Sequence, residues 1–166
     1  MTYHEFLTTK IELAPDSGFD ISKEEISPAL KPHQRDAVWW AIKGGRRALF
    51  ESFGLGKTVQ ELEFCRLVIK HKGGKALLVL PLGVRQEFTR DAEELLKIAP
   101  PVYVRNMEEV QNTEADILMT NYERVRDGDI DPKQFTVTSL DEASVLRSFG
   151  SKTYQIFLDK FKGVPF

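Results

Sequence analysis

The run KALLVL, residues 75–80, meets Pro81 with almost no polar interruption. A strand that alternates apolar and polar residues needs cover on one face only. A short continuous apolar run closed by a breaker reads as a strand buried on both faces. Such a strand demands helices above and below it, as in a parallel α/β sheet. The surrounding chain fits that demand. Three more strand candidates follow at 102–105 (VYVR), 116–120 (DILMT) and 135–140 (FTVTSL). The stretch 84–99 reads as a helix stopped by Pro100-Pro101, and NMEEVQN and NYERVRD read as short helices. SKTYQIFLDKFK reads as a closing amphipathic helix, with Tyr154, Phe157, Leu158 and Phe161 on one side. Strands and helices alternate without repeats, which predicts a three-layer α/β domain around a mainly parallel central sheet.

Composition sets the outer limits. A chain of 166 residues predicts one domain, and 42% hydrophobic with 29% charged residues is ordinary for a globular protein. No apolar run is long enough to span a membrane, and the first residues lack a basic stretch followed by an apolar one. One cysteine excludes an internal disulfide; Cys65, within EFCRLV, reads as a small core residue. A cytoplasmic location is expected. A net charge of −2 gives no global attraction to nucleic acid, so any such binding must come from a local face.

The first twenty residues are irregular in pattern. Ser22 and Glu25 fit a capping box opening a short helix to about residue 29. Pro32 suits the start of a second helix that ends at Gly44-Gly45. RRALFE, residues 46–51, reads as a short buried strand feeding Gly54-Leu55-Gly56-Lys57-Thr58, after which a helix runs to Gly73-Gly74. Strand, glycine loop and helix form the context of a phosphate-binding loop. Gly54 and Gly56 allow backbone shapes that turn amides toward an anion, and the helix N-terminus adds positive potential. Lys57 would lie on the β- and γ-phosphates of ATP and the Thr58 hydroxyl on Mg²⁺. The general pattern asks for glycine where this chain has Glu51. The plainer reading is a glycine-rich turn with an exposed lysine.

Downstream, FTVTSL runs into Asp141-Glu142. Ligands of open α/β sheets bind at the carboxyl ends of strands. Asp141 could hold Mg²⁺, and Glu142 could orient or deprotonate water. Two adjacent acids also commonly cap a helix or face solvent.

Five segments, LKPHQRDAVWW, ESFGLGKT, LLVLPLGV, ILMTNYERV and LDEASVLRSFGSKT, follow the order of the first motifs of superfamily 2 helicases. Spacing and wording most resemble the Swi/Snf-type helicase-like ATPases and their phage-encoded relatives. The resemblance spans residues 29–154 and implies the first of two RecA-like domains, with residues 1–28 as an extension packed near the nucleotide. It implies an ATPase that moves on DNA. Gln34 resembles the adenine-reading glutamine; Lys57, Thr58, Asp141 and Glu142 resemble the phosphate, Mg²⁺ and catalytic-base residues. Residues 81–84 and Thr120-Asn121-Tyr122 resemble segments that track one nucleic-acid strand, although the latter could simply cap a helix. An acid at Glu51 is usual in these relatives. Phe19 is placed somewhat like an adenine-stacking aromatic, with core packing as the plainer reading. Trp39 and Trp40 read as core or interface residues, and His4, His33 and His71 lack metal-ligand spacing.

Two departures accompany the resemblance. Ser144 stands where many relatives have histidine. The chain also ends at Phe166, before the family's third-motif strand, which lies between the phosphate-loop strand and the strand bearing the paired acids. A gap there leaves backbone groups open to another segment or a second copy of the chain. The second RecA-like domain, with its arginine fingers worth roughly 10³ to 10⁵ in rate, is absent too. Very slow hydrolysis by the chain alone is therefore expected. The rival readings are a non-catalytic nucleotide- or DNA-binding module and another phosphate-loop enzyme such as a small kinase.

Overall fold

A computed structural model describes residues 15–52, 54–146 and 152–166. His4 and the side chain of Ser144 lie outside the described residues. Four strands, β1 (Ala76–Val79), β2 (Val102–Tyr103), β3 (Ile117–Thr120) and β4 (Val137–Leu140), form one sheet in the order β2-β3-β1-β4. All pairs are parallel, with Ala76 opposite both Ile117 and Val137. The helices are α1 (Pro32–Gly44), α2 (Lys57–Lys72), α3 (Arg85–Asp91), α4 (Met107–Gln111), α5 (Tyr122–Asp127) and α6 (Lys152–Phe161). A π-helical turn at Ala92–Leu96 prolongs α3.

The sheet is covered on both faces. Ala76, Leu78 and Leu80 pack with Leu62, Cys65 and Val68 of α2 and Phe88 of α3. Leu77 and Val79 point the other way, toward Val110, Tyr122, Val125, Phe135 and Phe157. Successive residues of one strand thus feed opposite cores, which is why KALLVL has no polar alternation. On the first face α1 adds a further layer, with Val38 and Ile42 against Val59 and Leu67. Cys65 is fully buried, and burial pushes its thiol well above the ordinary range. No helix among the described residues is long and apolar enough to cross a membrane.

Several local expectations change. Residues 46–52 form no strand. Phe50 is almost entirely exposed, Arg46 donates to the Phe161 carbonyl, and Arg47 pairs with Asp16. A strand needs a ladder partner. Among the described residues β4 is a sheet edge, and the Thr138 N–H meets the Phe166 carbonyl (2.8 Å) instead of a further strand. The capping box at Ser22 shrinks to one 3₁₀ turn, Lys23–Glu25, in which Ser22 accepts from the Glu24 amide. The Glu25 carboxylate goes instead to Lys70 (2.8 Å) and His71 (3.0 Å) at the end of α2. In α6 only Phe157 is buried, while Leu158 is half exposed.

Candidate functional site

The glycine loop is built around two buried glutamines. Gly54 (φ 80°) and Gly56 (φ 76°) both take the left-handed backbone that side chains resist. Gly56 also has no room: a Cβ there would stand 2.4 Å from the Gln34 amide nitrogen. Gln34 donates that nitrogen to the Leu55 carbonyl (2.8 Å) and accepts from the Lys31 N–H (2.8 Å). Gln60, fully buried, donates to the Glu51 carboxylate (2.8 Å) and to the carbonyls of Leu55 and Gly56 (3.3 Å each). Glu51 is therefore tied by its carboxylate to the first turn of α2. Gln60 was not singled out in the sequence. Its signal was its place four residues after Gly56, since helical side chains lean over the preceding turn.

Lys57 opens α2, and its ammonium donates to the carbonyls of Glu51 (3.3 Å) and Ser52 (3.4 Å). The lysine thus closes over its own loop, in the place where an anion would draw it. Thr58 follows in the same turn, partly buried. In front of Gly54 the space is open, since a Cβ there would meet nothing within 4 Å. Left-handed glycines, an inward ammonium and open space are features that accept a phosphate group.

The paired acids close the other side. Asp141 directly follows β4, held by its N–H on the Val79 carbonyl (2.9 Å) and by the Tyr122 hydroxyl on its own carbonyl (2.7 Å). Glu142 sits at φ 52°, a left-handed conformation uncommon outside glycine. Such strain persists where surrounding structure enforces it, often at functional sites. Burial raises the Asp141 carboxyl above its ordinary range, and the negative Glu142 adds to this; the Glu142 N–H and the Lys57 charge act in the opposite direction.

Glu61 is the residue that the sequence did not announce. It stands one turn beyond Lys57, accepts from the Ser139 hydroxyl (2.7 Å) and faces Asp141. Burial first, and the Asp141 charge second, push its carboxyl up to about 8. Lys57, Glu61 and Asp141 are thereby one electrostatic cluster between α2 and the end of β4.

Other candidates part company with this site. Phe19 packs on His71 and Phe166, with Lys72 over its ring, at the far end of α2. At 1.5 Å per residue that is about 20 Å from Lys57, so its role is core packing and adenine stacking is excluded there. Thr120 is buried with its hydroxyl on the Val104 carbonyl, and Tyr122 is buried on Asp141, so neither can touch a passing strand. Asn121 remains partly exposed, as do Pro81 and Val84, while Leu82 and Gly83 are exposed. Trp39 bonds the Ile21 carbonyl (3.2 Å) and is half buried; Trp40 is half exposed beneath Arg47.

No family model and no curated protein matches the chain. Among solved structures, the whole chain superposes on the UvsW helicase of bacteriophage T4 with a TM-score of 0.63 at 16% identity, and on a second structure of T4 UvsW with a TM-score of 0.64, also at 16% identity. The chain has a helicase-like RecA fold. It covers 58% of the first of those chains and 33% of the second.

Proposed function

We propose that this chain is the ATP-binding half of a DNA-dependent ATPase, a helicase or translocase. The carrying observation is the convergence of Lys57, the open glycine loop and the Asp141–Glu142 turn at the carboxyl end of the sheet. In this reading Lys57 leaves the carbonyls of Glu51 and Ser52 for the triphosphate. Gln34 and Gln60 keep the loop's own carbonyls occupied, so that its amides face the anion. Thr58 and Asp141 hold Mg²⁺, which when bound neutralises phosphate charge and aligns the transferring group. Glu142, turned outward by its left-handed backbone, orients the attacking water and takes its proton. Gln34, whose amide is engaged by the Leu55 carbonyl and the Lys31 N–H, would have to release those partners to read the adenine edge; hydrolysis in the whole protein drives movement on DNA.

Binding of a fluorescent ATP analogue with Mg²⁺ tests the reading. Lys57→Ala should weaken affinity at least about tenfold, because it removes the charge-assisted bonds to phosphate. Equal affinity for the two proteins would contradict a working phosphate loop. The 166-residue chain alone should hydrolyse ATP very slowly. Vigorous DNA-stimulated turnover by the isolated chain would contradict that part.

A further inference from the structure

The side chain that resembles an adenine reader is engaged by the protein itself. Gln34 is the third residue of α1, and its Oε1 accepts from the Lys31 N–H (2.8 Å), the reach-back bond of a capping box. Its Nε2 donates to the Leu55 carbonyl (2.8 Å). Gly56 lies against the same nitrogen, so that a Cβ there would stand 2.4 Å from it. The whole residue is only 6% exposed. Both ends of the amide are therefore occupied, and little of it faces outward.

A glutamine reads adenine by offering a donor and an acceptor together, to N7 and to the N6 amino group. To offer both, Gln34 would leave the Leu55 carbonyl and the Lys31 N–H. Two hydrogen bonds would be exchanged for two, and the groups left behind would lose partners in a buried place. Adenine then gains no net bond over a nucleobase that leaves Gln34 where it is. A site built to hydrogen-bond its ligand rejects analogues lacking the matching group by roughly 10⁴. An even exchange gives no such factor. Phe19, the other candidate for contact with the nucleobase, lies at the far end of α2. Pro32 and Leu55, on either side of the buried amide, are exposed and apolar, and hydrophobic contact is non-directional.

We infer that this site selects the triphosphate and not the nucleobase. Its substrate class is the nucleoside triphosphates, purine and pyrimidine alike, and Gln34 is a positioning residue that holds Leu55 and Gly56 in the loop. The inference rests on the proposed function for the phosphate loop and widens its substrate class.

The test is displacement of the fluorescent ATP analogue from the full chain, with Mg²⁺, by ATP, GTP, CTP and UTP. The four dissociation constants should agree within about tenfold, far inside the range of a site that reads its ligand by hydrogen bonds. A preference for ATP beyond that factor would overturn the inference. Gln34→Ala leaves the Leu55 carbonyl with only the longer bond from Gln60 (3.3 Å). It should weaken all four nucleotides together, by roughly fivefold, and leave their ratios as in wild type. Weaker binding of ATP alone, or binding of all four at wild-type strength, would overturn the role given to Gln34. Circular dichroism shows whether the variant is folded; if it is not, the wild-type series decides by itself. Lys57→Ala separates the two levels of the account. Equal binding by Lys57→Ala and wild type contradicts the phosphate loop itself. Weakened binding by Lys57→Ala, beside a strong ATP preference in wild type, overturns only the present inference.

Discussion

Glu61 and Glu63 lie two residues apart on α2 and face opposite fates. Glu63 is fully buried and fully partnered: Arg66 clamps both carboxylate oxygens at 2.7 Å, and the Ser27 N–H adds a third bond at 2.7 Å. Glu61 has one hydroxyl, Ser139, and a second acid, Asp141, beside it. The first carboxylate fastens the 23–30 segment to α2 and has nothing left to offer a ligand. The second is held in a state that favours a proton, next to the Lys57 ammonium. Buried charge that is paired serves the fold, and a carboxyl left beside its own sign is a candidate for function.

The largest effect that tests this contrast is the loss of Glu63. Glu63→Ala strands the Arg66 guanidinium and the Ser27 N–H, and should cost about 2–3 kcal/mol by urea denaturation. A loss within about 0.5 kcal/mol would show that Glu63 is not the fastener described. Glu61→Gln should act more weakly and in the other direction. The Glu61 carboxyl sits at about 8 in the fold against 4.5 ordinarily, so folding takes up a proton. Its contribution is fully present below pH 4.5 and fades as pH rises through 8. Glutamine removes that dependence. The variant should therefore gain on the order of 1–2 kcal/mol relative to wild type between pH 6 and pH 9. Parallel urea midpoints at the two pH values would break the claim. The smallest effect belongs to the partly exposed Glu25, which Lys70 and His71 hold at about 2. Its contribution is present above pH 4.5 and is lost as pH falls through 2. Lys70→Ala should leave neutral stability nearly unchanged and shift only the acid limb of an unfolding curve.

Much of the frame was legible in the residues. KALLVL announced a strand buried on both faces because each of its side chains enters one of two cores. The ends of α1 and α2 followed from Pro32 and from glycine pairs, whose backbone needs are local. Residues 46–51 misled because an apolar run specifies a strand only when a neighbour supplies the ladder. Ser22 misled for a related reason, since Glu25 finds stronger partners 45 and 46 residues away than its own helix end. At the candidate site, motif context singled out Lys57 and Asp141, and the structure brings both beside Glu61. Glu61 was not: within KTVQELEF it looks like any polar helix residue, and its meaning depends on Ser139, 78 residues on. The stacking of Arg85, at the start of α3, on Tyr103, at the end of β2, was hidden in the same way, because a pair formed between a helix and a strand leaves no spacing signal.

The central claim is that the glycine loop and the acidic turn after β4 form a single nucleoside triphosphate site. Amide correlation spectra of the isotope-labelled chain, titrated with a non-hydrolysable ATP analogue and Mg²⁺, address it most directly. Shifts should concentrate at Gly54, Leu55, Gly56, Lys57 and Thr58, and at Asp141 and Glu142, with a smaller response at Gln34 and Glu61. Shifts confined to other regions, or unchanged spectra at saturating analogue, would contradict it.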